Sequence, residues 1–103
     1  MSEEVRRVVE QVVAEVQPLR IILFGSRAKG TARTDSDIDL LVVMPDGTPA
    51  LPTMQRLYRS INHADAAVDY LVASPDVLKR HADNIGLVYK EILRTGQEVY
   101  VSR

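Results

Sequence analysis

The residues that could do chemistry are concentrated between positions 25 and 39. Gly25 and Ser26 follow an apolar stretch, and ten residues later Asp37 and Asp39 stand one residue apart. Glycine permits a tight turn and close backbone approach. The amides and hydroxyl of Ser26 and its neighbours are then placed to donate to phosphate oxygens. Arg27, Lys29 and Arg33 add positive charge to the same loop. Side chains alternate across a strand, so Asp37 and Asp39 point to one face and Ile38 and Leu40 to the other. Two carboxylates about 7 Å apart on one face call for a counter-charge, which Mg²⁺ supplies. An isolated Asp-x-Asp is more often an exposed strand start. The Gly-Ser turn at this distance favours a site that handles nucleotides and metal.

A third carboxylate belongs to the same argument. Asp69 interrupts an otherwise apolar run, Val68-Asp69-Tyr70-Leu71-Val72. A charge there is costly unless it is paired, coordinated or facing solvent. If its strand lies beside the Asp37–Asp39 strand, three carboxylates converge. Such a site is suited to two metal ions and in-line phosphoryl or nucleotidyl transfer.

The elements that must position these groups are legible from periodicity. Val5, Val8, Val9, Val12, Val13 and Val16 form one helical stripe, with Ser2 as N-cap, Glu3 and Glu4 in the first turn and Pro18 as terminator. Valine is a mediocre helix former, so packing must hold this helix. Its polar side, with Arg6, Arg7, Glu10, Gln11 and Glu15, reads as a solvated face. Ile21–Phe24 reads as a buried strand entering the turn, and 27–36 as a short helical turn plus loop. Residues 37–43 form a second strand, and 45–48 a turn. A helix is expected from about Pro52 to Asn62 and a third strand over 67–72. Ser74-Pro75-Asp76 starts a helix. A break is expected near Asp83-Asn84, and a further helix over 85–94. Gly96 follows as its C-terminal cap and 97–101 as a terminal edge strand. This order predicts an α/β (α+β) fold around a small mixed sheet, as one domain spanning 1–103.

Composition narrows the function classes. The chain has 103 residues, 46% of them apolar and only 5% aromatic, so Val, Leu and Ile must fill one core. A net charge of −1 provides no field for direct nucleic-acid binding. The absence of cysteine excludes disulfides and thiolate zinc sites. The acidic start lacks the apolar stretch of a signal peptide, and no apolar run approaches the ~20 residues that span a bilayer. A cytoplasmic protein is expected.

In Phe24-Gly-Ser-Arg-Ala-Lys-Gly30 and Ser36-Asp-Ile-Asp-Leu40 the chain resembles the DNA polymerase beta-type nucleotidyltransferase superfamily. Within it, the chain looks most like the minimal nucleotidyltransferase branch, whose signature is Gly-Ser, ten residues, Asp-x-Asp. The likeness covers residues 18 to 73 well and the C-terminal helices more loosely. It implies that Asp37 and Asp39 hold Mg²⁺, and that Asp69 completes the metal site and helps deprotonate an acceptor hydroxyl. It implies that Gly25 and Ser26, with Arg27, meet the phosphates of an NTP, foremost ATP. The implied reaction moves NMP to a hydroxyl and releases pyrophosphate. Small members of this kind are antitoxins paired with a helical HEPN ribonuclease toxin, and can adenylylate a tyrosine of that partner.

Only about thirty residues follow the third strand, enough for two short helices. The acceptor surface is therefore expected from another chain, in a hetero- or homo-oligomer. Two rival readings stand beside this one. The chain could be a non-catalytic antitoxin that blocks its partner by occlusion, or an aminoglycoside-type small-molecule transferase. His63 and His81 read as surface or helix-end residues, and Tyr58, Tyr70, Tyr89 and Tyr100 as packing.

Overall fold

The computed structural model describes residues 2–29, 37–63, 66–80 and 87–102. The elements run α1 (Glu3–Val16), β1 (Arg20–Phe24), α2 (Ser26–Lys29), β2 (Ile38–Val43), α3 (Ala50–Ser60), β3 (Val68–Ala73), α4 (Pro75–Arg80), α5 (Leu87–Thr95) and β4 (Gln97–Val101). The four strands form one sheet in the order β3-β2-β1-β4. β1 is antiparallel to both β2 and β4, and β2 is parallel to β3. The sheet is mixed, as expected, and the Asp69 strand does lie beside the Asp39 strand.

Alternation along the strands builds two apolar layers. Ile21 and Leu23, with Ile38, Leu40 and Val42, and Val68, Tyr70 and Val72, meet the valines of α1 and Leu57 and Ile61. The opposite face places Ile22, Leu41, Val43 and Ala73 against Ile92 of α5, with Phe24, Leu71, Val77, Leu78 and Tyr89 partly buried around them. Burial therefore holds α1, as its valine content requires: Val12 is fully buried.

The boundaries have local causes. The amide of Val5 donates to Ser2 Oγ at 3.3 Å. At the other end of α1, Gln17 takes the left-handed conformation, φ 50°, and donates to the Val13 carbonyl, just before Pro18. α3 begins at Ala50, earlier than expected. Pro52 lies in the first turn, where a missing N–H costs no helical hydrogen bond. Ser74 caps α4, accepting from the Val77 amide at 3.2 Å. Gly96 differs from expectation. Its amide bonds the Ile92 carbonyl at 2.7 Å, but its φ is not positive. A Cβ there would press on Ile92 O, Ile22 Cγ2 and Leu23 O at 2.5, 2.6 and 2.9 Å, so the glycine lets α5 close onto β1.

The polar side of α1 is more than a solvated face. Gln11 Oε1 accepts from the Asn62 amide at 2.9 Å, and Glu15 bridges Arg56 at 2.7 Å, tying α1 to α3. The expected break at 83–84, His81 and most of the 30–36 loop, including Arg33, lie outside the described residues, as does the side chain of Lys29. Among the described residues no helix is long and apolar enough to cross a membrane.

Candidate active site

β1 delivers Gly25 to one end of the sheet. Phe24 is the register partner of Asp39 in the antiparallel pair, so the chain turns at Gly25 directly beside that carboxylate. Gly25 has φ 77°, a conformation that L side chains rarely adopt. A Cβ there would overlap Asp39 Oδ2 and lie 3.3 Å from Asp39 Cγ. The glycine is therefore required twice, for the turn and for contact with the acid. Ser26 opens the helical turn α2 immediately afterwards, with its side chain exposed.

β2 and β3 bring the acids together. Asp39 and Asp69 are register partners in the parallel pair, so both side chains stand on the same face at the same level. That is the face covered further along by α4 and α5. Burial, followed by the charges of Asp69 and Asp37, holds the Asp39 carboxyl above its ordinary range. Asp37 sits one residue before β2, exposed. Among the described residues, no three acidic or histidine side chains lie close enough to hold a metal ion. The expected convergence of Asp37, Asp39 and Asp69 is thus not a closed set, and what the fold holds in register is the Asp39–Asp69 pair. The donor chemistry nonetheless suits a hard divalent cation. The donors are carboxylate oxygens, and burial, then the charges of Asp69 and Asp37, disfavour the charge on Asp39.

The sequence reading placed Arg27 at the phosphates. In the structure its guanidinium, 10% exposed, meets Glu4 Oε2 at 3.1 Å, pinning α2 to the first turn of α1. A second brace comes from β4. Gln97 Nε2 donates to the Ala28 carbonyl at 2.9 Å, so the first residue of β4 holds the end of α2. The turn that follows Gly25 is thus clamped from two sides.

Tyr58 and Tyr70, expected as packing, and His63, expected at the surface, form a cluster beside Asp69. The Tyr70 amide donates to Tyr58 Oη at 3.1 Å, and His63 Nε2 lies 3.0 Å from the Tyr70 hydroxyl. The Tyr58 and Tyr70 rings meet edge-on, 5.0 Å apart. Tyr70 faces away from Asp69 and is 2% exposed, as core packing requires, and burial pushes its phenol well above the ordinary range. Pairing across twelve residues leaves no periodic trace, so only the fold shows these contacts.

A turn packed on one carboxylate, with a second in register, suits an α/β domain that faces phosphate groups. The chain belongs to the nucleotidyltransferase domain family, whose model matches residues 5–101. Two solved structures share the fold. A Sulfolobus solfataricus protein described as a nucleotidyltransferase aligns with a TM-score of 0.64 and 24% identity, covering 94% of this chain and 77% of its own. A toxin–antitoxin solved with AMP-PNP aligns with a TM-score of 0.63 and 19% identity, covering 95% of this chain and 73% of its own. Comparison with curated proteins gives no match.

Proposed function

We propose that this domain transfers NMP, as AMP from ATP, to a hydroxyl in a Mg²⁺-dependent reaction that releases pyrophosphate. The acceptor is a tyrosine of a helical HEPN-type toxin, and the modification makes this chain an antitoxin. The observation that carries the proposal is the register pairing of Asp39 with Asp69, with the Gly25 backbone packed against Asp39. Family membership and the fold shared with a toxin–antitoxin that carries AMP-PNP support it.

Each group has a role in that reaction. Asp37, Asp39 and Asp69 would hold Mg²⁺, which supplies charge neutralisation for the phosphates and the leaving pyrophosphate. Asp37 stands exposed immediately before β2, on the approach to this pair. Gly25 and Ser26 present backbone and hydroxyl donors to the β- and γ-phosphates, with α2 held by Glu4 and Gln97. Arg27 contributes by bracing this turn. Asp69, the more exposed of the strand acids, takes the proton of the attacking hydroxyl.

The test is incubation with labelled ATP, Mg²⁺ and the helical protein encoded beside this chain. Label is expected on a tyrosine of that protein, and none with Asp37→Asn/Asp39→Asn. Neutralisation that persists in cells with the double variant would replace catalysis by occlusion. Label on an aminoglycoside without any protein partner would replace the acceptor.

A further inference from the structure

We infer that Tyr58 and His63 are positioning residues for the Asp69 carboxylate, fixing it opposite Asp39 for the divalent cation; this rests on the metal requirement of the proposed reaction and not on its donor or acceptor.

The Asp69 side chain is exposed and makes no hydrogen bond to another described side chain. Its place relative to Asp39 is therefore set by the backbone of β3. That strand lies at an edge of the sheet, bonded to β2 on one side only. The Ile38 amide donates to the Ala67 carbonyl and the Met44 amide to the Ala73 carbonyl, at 2.9 and 2.8 Å. In a parallel ladder this parity turns the backbone groups of residue 69 toward β2 and the amide of residue 70 outward. An outward amide on an edge strand ordinarily bonds water. Here it bonds Tyr58 Oη, carried by a helix whose Leu57 is fully buried.

The grip is completed from below. The Tyr70 ring is sunk in the core on the opposite face, edge-on to Tyr58, and its hydroxyl meets His63. Residue 70 is thus held at its amide and at the tip of its side chain. The planar peptide carries that constraint to Asp69, one bond away. Groups outside the ligand set that fix a ligand's orientation govern metal affinity, and here they act on Asp69 through its backbone.

Titration with Mn²⁺ alone, read by paramagnetic broadening of the Asp39 and Asp69 amides, tests the inference without nucleotide or partner. Tyr58→Phe keeps the half-exposed ring and removes only the oxygen. It is expected to bind Mn²⁺ about tenfold more weakly and to lose exchange protection at the Tyr70 amide. His63→Leu should behave alike. His63→Gln, which keeps a partner for the Tyr70 hydroxyl, should bind nearly as the wild type does, and so should the exposed Leu51→Ala on the same helix. In the transfer assay, Tyr58→Phe should lower kcat and leave KM for ATP unchanged. Equal Mn²⁺ affinity in wild type, Tyr58→Phe and His63→Leu would overturn the inference. So would equal weakening in Val12→Ala at matched Tm, or a wild type that binds no Mn²⁺. If the wild type binds Mn²⁺ but transfers no nucleotide, the proposed function fails alone, and the Mn²⁺ comparison still decides this inference.

Discussion

The two faces of the sheet are built to different rules. Under α1 and α3 the strand residues are apolar from end to end: Ile38, Leu40 and Val42 on β2, Val68, Tyr70 and Val72 on β3. Under α4 and α5 the same strands carry Leu41, Val43, Leu71 and Ala73 at one end and Asp39 and Asp69 at the other. One face is continuous core, and the other gives up core at its end for charge. The pleat thus separates continuous core from charge: adjacent residues of one strand lie on faces of opposite character. Substitutions on the two faces should therefore fail differently.

The largest effect is expected at the charged end. Asp39→Asn/Asp69→Asn removes the paired carboxylates and should cut nucleotidyl transfer by about a thousandfold, the several kcal/mol that metal-borne charge stabilisation supplies. Circular dichroism and thermal unfolding should show an intact fold. The mirror experiment is Leu57→Ala. Leu57 is fully buried against the apolar face, so its truncation should cost about 2–5 kcal/mol of stability. Denaturant unfolding measures it, and the fraction that stays folded should transfer at the normal rate. A stability loss in the aspartate variant, or an activity loss in folded Leu57→Ala, would break the separation.

Glycine substitutions sharpen the comparison within the backbone. Gly25 and Gly47 share a positive φ, 77° and 88°. A side chain at Gly47 meets nothing within 4 Å, whereas one at Gly25 runs into Asp39. Gly47→Ala should cost about 1 kcal/mol, the left-handed penalty alone. Gly25→Ala should cost about 1–2 kcal/mol more, because Asp39 must move, and should lose transfer activity as well. In Asp39→Ala the steric part should vanish, so the two substitutions should be non-additive in chemical denaturation.

Much of this plan was readable in advance because local rules act there. Valines at helical spacing marked α1, Ser2 and Ser74 marked caps, and alternation put Asp39 opposite Leu40. What escaped needed knowledge of neighbours. Gly96 reads as a C-terminal cap, and what requires a glycine there also includes Leu23 and Ile22 of a strand more than seventy residues earlier. Arg27 carries a charge fit for phosphate, and its contact with Glu4 arises only when α1 packs. Tyr58 and His63 matter because β3 is an edge strand, and strand order is a property of the whole sheet. The three carboxylates were readable as residues. That two of them pair in register while Asp37 stands before the strand depends on where β2 begins.

The smallest effect is the most specific to the charged end. Burial and then the charges of Asp69 and Asp37 raise the Asp39 pKa. A carboxyl whose pKa is raised by folding binds its proton more tightly in the native state than in the unfolded chain. Stability is therefore lost as pH rises from the ordinary carboxylate range through the raised value. Asp39→Asn removes the charge at nearly constant shape. Its Tm at pH 7, without divalent cations, should exceed that of the wild type by roughly 1–4 °C. The gap should close on acidification below the carboxylate range. It should also close as Mg²⁺ is added, because a ligand that binds the native wild type alone raises its stability and not the variant's. On the opposite face Leu40→Ala, one residue along the same strand, should lower Tm and respond to neither pH nor Mg²⁺. A variant Asp39→Asn that is less stable than the wild type under all these conditions would mean that the carboxylate is a structural anchor, and the division between the two faces would not hold.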